Sequence, residues 1–248
     1  MLALLLAIGG SARAGALKVA VNTDKPPFAF READGSLGGI EVDLLRTVLA
    51  RCGELAELVP TSKTRLLVEL KAGRVQAAMS VRGRDDGAMY FSDPMAYFEN
   101  VAVTRKSSQI TLAGLADLDR HQFVIWHGGW ADLGPAFAAR YQPGSDGKFP
   151  SNYFQASNQV AQARIFWARR VDVMVVDRNI FDWLRRKLAA DGVDVSDELV
   201  FHSIVRERTG FSTAFASRAL RDCFNQQLRV LRDDGSYQRI VDKYKWQP

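Results

Sequence analysis

Apolar residues in the first hundred positions alternate between two spacings. Short, mostly apolar runs occur at residues 17–22, 58–60 and 75–80, each too brief for a helix. Between them, apolar positions recur at helical spacing. Residues 40–51 place Leu44, Leu45, Val48 and Leu49 on one side and stop at Gly53. Residues 65–72 place Leu66, Leu67 and Leu70 on one side and stop at Gly73. A glycine just past the last apolar position is the usual way to end a helix. Strand and helix therefore alternate, which predicts a parallel sheet covered on both faces. The polar loop 82–87 follows the strand at 75–80, at the carboxyl end where open α/β sheets receive ligands.

A second unit begins after Thr104. Residues 123–126 read as a strand, 131–141 as a helix and 142–150 as a Gly/Pro loop. Asn158 can cap a helix running to Arg169, with Ile165 and Phe166 on its apolar side. A buried strand at 171–176 precedes a helix containing Phe181, Trp183 and Leu184. Residues 199–205 are expected to be the strand that crosses back, followed by helices at 219–232 and 237–245. The two halves echo each other faintly, Arg74-Val75-Gln76 before Ala-Ala-Met against Arg170-Val171-Asp172 before Val-Met-Val.

Residues 1–14 read as a signal peptide, with an apolar core at 2–8 and Ala12-Arg13-Ala14 as the cleavage pattern. A basic leader region is missing, which fits a start codon further upstream. No later run approaches the ~18 apolar residues of a membrane span, so an exported, soluble protein is expected. With 248 residues, 47% of them hydrophobic, the chain can bury substantial cores. Its net charge of +5 is scattered, and Arg185-Arg186-Lys187 lies on a helix face beside Trp183. That is a solvated face rather than a nucleic-acid footprint. His121, His127 and His202 show no metal-ligand spacing, and no phosphate loop or nucleophile elbow appears. No cofactor, metal or nucleic acid is expected.

The stretch Gly73-Arg74-Val75-x-Ala77-x-x-Ser80, followed by Phe91-Ser92-Asp93-Pro94, resembles the family 3 extracellular solute-binding proteins. These are periplasmic receptors that deliver amino acids and related solutes to ABC importers. Three further motifs agree in order and spacing: Pro26-Pro27-Phe28, Gly38 to Leu44 (GGIEVDL), and Asp234-Gly235-Ser236-Tyr237 with Ile240 and Tyr244. The resemblance implies an α/β, two-lobe, periplasmic-binding-protein-like fold of type II, each lobe a mostly parallel sheet. Lobe 1 would comprise residues 15–99 and 207–248, and lobe 2 residues 100–206. It also implies a monomer in the periplasm that closes on a small polar solute, amino-acid-like or an organic acid, with an ABC permease as partner. The alternatives are a dehydratase-like enzyme on the same scaffold, using Asp85 or His127, and a signalling or partner-binding protein that has lost transport. Cys52 and Cys223 read as two buried thiols, though an oxidising periplasm permits a bridge.

Receptors of this family hold an α-amino acid with two charged anchors. Asp177 stands where the family's ammonium-binding aspartate does, and Asp also favours the helix N-cap position it would occupy. The carboxylate-binding arginine is replaced by Asp85, flanked by Arg82 and Arg84, either of which could supply a guanidinium. In the second lobe a Gly-Thr/Ser-Thr turn is replaced by Gly128-Gly129-Trp130, which keeps backbone access for an anion and loses the hydroxyl. Asn22, Lys25 and Lys63 replace an acidic and two aromatic pocket residues, while Phe28 and Ser80 are retained. Lys25, Lys63, Arg65, Arg82 and Arg84 would make one mouth of the cleft basic, with Trp126 and Trp130 as stacking area opposite. These changes predict poor binding of ordinary amino acids.

Overall fold

A computed structural model describes residues 15–205 and 208–244. The expected signal peptide at 1–14 lies outside the described residues. Two sheets form the centres of two lobes. In the first, the strands run in the order Ala56–Pro60, Leu17–Val21, Ala77–Val81, Thr209–Phe215, Tyr90–Phe91, and Ala96–Phe98 also pairs with Thr209–Phe215. In the second the order is Tyr153–Ala156, Phe123–Trp126, Val173–Asp177, Asn100–Arg105, Leu199–His202. This is the two-lobe type II architecture.

The sheets are mixed rather than mostly parallel, and chain direction explains why. Leu17–Val21, Ala56–Pro60 and Ala77–Val81 pair in parallel and end at the gap between lobes. So do Phe123–Trp126 and Val173–Asp177. A strand that enters a sheet from the other lobe must instead begin at that gap. Asn100–Arg105 therefore starts opposite Asp177 and runs antiparallel to it, and Thr209–Phe215 runs antiparallel to Ala77–Val81. Residues 199–205 do not cross back. Leu199–His202 is instead an edge strand against Asn100–Arg105. The helix expected at 131–141 is two short ones, Gly129–Asp132 and Pro135–Tyr141. Pro135 has no amide to continue the first helix and starts the second after Gly134 turns at φ 89°. The Tyr153–Ala156 strand follows the Gly/Pro loop and was not evident from the pattern.

Helix Ile40–Arg51 packs Val42, Leu44, Leu45, Val48 and Leu49 fully inward beside Val19, Val21 and Met79 of the first sheet. Helix Arg218–Asp233 adds Phe224, Leu228 and Leu231 to the same core. Those two helices are cross-linked. Cys52 and Cys223 form a disulfide, so the expectation of two free thiols is wrong. Cys52 caps the first helix and Cys223 lies in the second, placing their Cα atoms 6.1 Å apart, within bonding reach. The bond ties the returning C-terminal segment to a helix 171 positions earlier.

Several residues of the recurring motifs hold backbone rather than face the gap. A Cβ on Gly39 would lie 2.4 Å from the Phe28 carbonyl oxygen, and its φ is 123°, so only glycine fits. The Gly39 amide donates to Tyr244 Oη at 3.0 Å, and that hydroxyl donates to Asp43 at 2.8 Å. Ser92 accepts from and donates to the backbone of Thr213, fixing the return strand.

The disulfide closes a very long loop of unfolded chain, so removing it should matter. Replacing both cysteines with alanine should lower stability by about 2–4 kcal/mol. Thermal melts with and without reductant check this: the wild type should lose melting temperature in reductant and the double variant should not.

Candidate functional site

Between the lobes lies a cavity of about 280 Å³, below the roughly 300–1,000 Å³ of pockets for drug-sized ligands. Lobe 1 lines it with the loop after the first strand (Asn22, Asp24, Lys25), the turn at Ser62, Lys63 and Thr64, and Ser80. Lobe 2 contributes Trp126, His127, Asp132, the start of helix Gln159–Trp167, and Asp177. Phe98, Asn100, Thr209 and Phe211, where the chain passes between sheets, form the floor. Carboxyl ends of strands from both sheets thus converge on one space.

Lys25 crosses the floor of lobe 1. Its ammonium meets Glu41 Oε2 at 2.5 Å and also bonds Ser80 Oγ. Ser80 in turn donates to the fully buried Glu41 carboxylate at 2.8 Å. Ser80 has φ 61°, a left-handed backbone uncommon for a side-chain-bearing residue, at the point where the buried strand meets the cavity. Rings of Phe98 and Phe211 stand 5.3 and 5.5 Å from the ammonium. Burial pulls the Lys25 pKa down and the Glu41 carboxylate opposes the shift.

A second cluster bridges the lobes. Lys63 forms an ion pair with Asp132, whose Oδ2 also accepts from Trp126 Nε1 at 2.9 Å. Arg82 donates to the Asp132 carbonyl at 2.8 Å. Because Pro135 and Gly134 break the helix, Asp132 ends a short turn facing the opposite lobe.

Asp177 is the most buried acid of the cavity, 1% exposed. Its Oδ1 accepts from the Asn179 and Ile180 amides at 2.9 and 3.1 Å, capping helix Arg178–Ala190, and Oδ2 accepts from the Glu99 amide at 2.8 Å. Burial pushes its pKa up to about 7, against the three amides. Asp24 stands at the mouth, and burial of its inner side raises it to about 6, opposed by the Gln159 amide of the other lobe.

Six of the twelve residues expected at the site line the cavity: Asn22, Lys25, Lys63, Ser80, Trp126 and Asp177. The other six do not. Asp85 turns away, accepting from the Phe91 amide at 2.8 Å and from Arg221 at 2.9 Å. Arg82 reaches the bridging cluster instead of the cavity, and Arg84 stays on the exposed loop. Phe28 packs behind the wall, its ring 4.1 Å from that of Phe98. Trp130 packs on the second lobe's core, and a Cβ on Gly129 would fall 2.6 Å from the Ile125 side chain. The Gly128 amide is already used by Gln155 Oε1 at 2.7 Å. Sequence reasoning missed Asp24, Glu41 and Asp132. Asp24 was readable from its place beside Lys25 after the first strand; Asp132 depended on the unforeseen helix break. Among the described residues no cluster of His, Cys, Asp and Glu could hold a metal ion.

The raised Asp177 pKa makes stability depend on pH. Above the usual carboxyl value near ~4 and below about 7, the folded protein keeps a proton that the unfolded chain has released. Its contribution to stability therefore falls as pH rises through that window, by at most about 1.4 kcal/mol per unit. Denaturant unfolding of the ligand-free protein between pH 5 and 8 should show a less negative slope in Asp177→Asn than in the wild type.

The geometry can be set beside known proteins. Residues 17–247 match the profile of bacterial extracellular solute-binding proteins, family 3. Over 259 residues the chain is 24% identical to the histidine-binding periplasmic protein of Salmonella typhimurium, covering 98% of this chain and 94% of the relative. Over 233 residues it is 22% identical to the L-cystine-binding protein TcyJ of Escherichia coli, covering 93% and 82%. A shorter match, 28% over 109 residues, joins it to cyclohexadienyl dehydratase of Pseudomonas aeruginosa, with 43% and 41% covered. Among solved structures, a histidine kinase sensor domain with similarity to periplasmic binding proteins superposes with a TM-score of 0.72 at 20% identity, covering 94% of this chain and 96% of that one. An ancestral arginine-binding protein bound to arginine gives 0.70 at 19% identity, covering 94% and 99%. With a match running over nearly all the described residues, the chain belongs to the bacterial extracellular solute-binding proteins, family 3.

Proposed function

We propose that this protein is a periplasmic receptor that captures a small polar, amino-acid-like solute between its lobes and presents it to an ABC permease. The observation that carries this reading is the cavity itself. Strand ends of both lobes line it, and Lys63 and Arg82 of one lobe bond Asp132 of the other across it. A solute touching both walls would favour the closed arrangement over the open one by its differential contacts. The histidine-, cystine- and arginine-binding relatives support a small polar ligand, and binding without turnover.

The second reading is an enzyme. It draws on the dehydratase relative and on two cavity carboxyls, Asp24 and Asp177, held at about 6 and about 7, where general acids work near neutral pH. Asp85, turned onto Arg221, is no longer a candidate for that role, whereas His127 lines the cavity.

Two measurements test the receptor reading. A bound solute at a hundred times its Kd should stabilise the fold by about 2.7 kcal/mol. A thermal-shift screen of amino acids, organic acids and amines finds it, and mass spectrometry should recover the compound unchanged. Recovery of a dehydrated or decarboxylated product instead moves the protein to the enzyme class. Asp177→Asn should weaken binding of that solute by about 2–5 kcal/mol, the range for truncating one side of a buried charge pair. Titration calorimetry reads this directly, and unchanged affinity reduces Asp177 to a helix cap.

A further inference from the structure

Resting on the receptor reading, we infer that the solute is a small organic cation without a carboxylate, an amine rather than an α-amino acid. The inference comes from which polar groups of the cavity already have partners. A ligand carboxylate needs a free cation or free amides. Lys25 is engaged by Glu41 and Ser80, and Lys63 by Asp132. Two amides at the helix starts are similarly engaged. Gly128, at the glycine turn expected to cradle an anion, donates to Gln155. The Gln159 amide, at the start of the nine-residue helix facing the cavity, is met from the opposite lobe by Asp24. Asp24 and the start of that helix line the same cavity from opposite lobes, so a ligand carboxylate drawn to the helix N-terminus would meet Asp24. Arg82 and Arg84, the guanidinium candidates, do not line the cavity.

The acids show the reverse pattern. Three cationic groups, Lys25, Lys63 and Arg82, face four carboxyl groups, Asp24, Glu41, Asp132 and Asp177, in and immediately around the lining. Among the described residues, Asp24 and Asp177 have backbone amides for partners and no side-chain cation. Among the described residues that line this space, a carboxylate would approach two acids and find no unpaired cation. An ammonium or amidinium would find two acceptors on opposite lobes, so one ligand could bridge the closure. Leu66, Ile180 and the Phe98 and Phe211 rings supply apolar wall for a short methylene or aromatic body. Both acids are held above the ordinary carboxyl range by burial, the state a nearby cation would relieve.

Compounds that differ only in the α-carboxylate test this. Agmatine against arginine, cadaverine against lysine and histamine against histidine would be titrated calorimetrically at pH 8 into the intact protein. At least one amine should bind tenfold or more tighter than its parent amino acid. Asp24→Asn, its fold checked by circular dichroism, should reduce that affinity at least tenfold, and Asp177→Asn should do the same. Tighter binding of the amino acid in the responding pair overturns the inference and leaves the receptor reading standing. So does preferential binding of a neutral or anionic solute from the wider screen, or unchanged amine affinity in both variants. If no solute of the panel or the screen binds, the receptor reading fails and this inference with it.

Discussion

One buried carboxyl group joins the elements on which the cleft depends. Asp177 ends the central strand of the second sheet, caps the helix that follows and accepts the amide of Glu99. Glu99 in turn accepts from Arg178, so the segment leaving lobe 1 is held at the helix start by bonds in both directions. Next to it, Asn100 donates to Thr209 on the returning segment at 3.3 Å. Both passages of the chain between sheets are therefore fixed within a few ångströms of this acid. Desolvation works against its ionised form, and the three amides recover only part of that. A neutral cap would be easier to bury. Its position at the cavity wall gives the charge a use beyond capping.

The cavity's electrostatics follow from the same pairing rule. A charge removed from water is held either by an opposite charge or by hydrogen bonds. Lys25 and Lys63 obey it through Glu41 and Asp132, the first within lobe 1 and the second between lobes. The second pair is partly exposed, which limits what it contributes alone. Trp126 fixes the Asp132 carboxylate within its own lobe, and Lys63 and Arg82 reach that residue from the other.

Much of the architecture was legible because hydrophobic spacing determines it. Leu44, Leu45, Val48 and Leu49 read as one helix face and are fully buried; Gly53 and Gly73 read as helix ends and have φ of 80° and 70°. Strand direction was less legible, because an apolar run such as Val101 to Val103 looks the same whichever way it enters a sheet. The disulfide was invisible for a related reason: spacing says nothing about Cα atoms 171 positions apart. Site residues were half legible. Lys25 and Asp177 follow strands directly, where position predicts exposure to the gap. Asp85 lies in a loop whose path is decided by Arg221, far along the chain, and Trp130 by packing on Ile125's side of the second lobe.

The residues that carry the resemblance and those that line the cavity are largely different groups. Gly39, Ser92, Tyr237 and Tyr244 hold backbone: Tyr237 donates to the Met95 carbonyl at 3.0 Å, and the others fix the first helix and the return strand. None lines the cavity. Their chemistry is set by the scaffold's own amides and carbonyls, which do not change when the ligand does. Lining positions such as Lys25 and Lys63 are held by side-chain acids rather than by the backbone frame, so a lysine can stand there where Glu41 or Asp132 is within reach. Each such replacement alters the charge left over for a ligand without disturbing the frame. A family match over residues 17–247 therefore accounts for how the lobes are built, while the lining charges, Asp24 and Asp177 among them, are set separately from that frame.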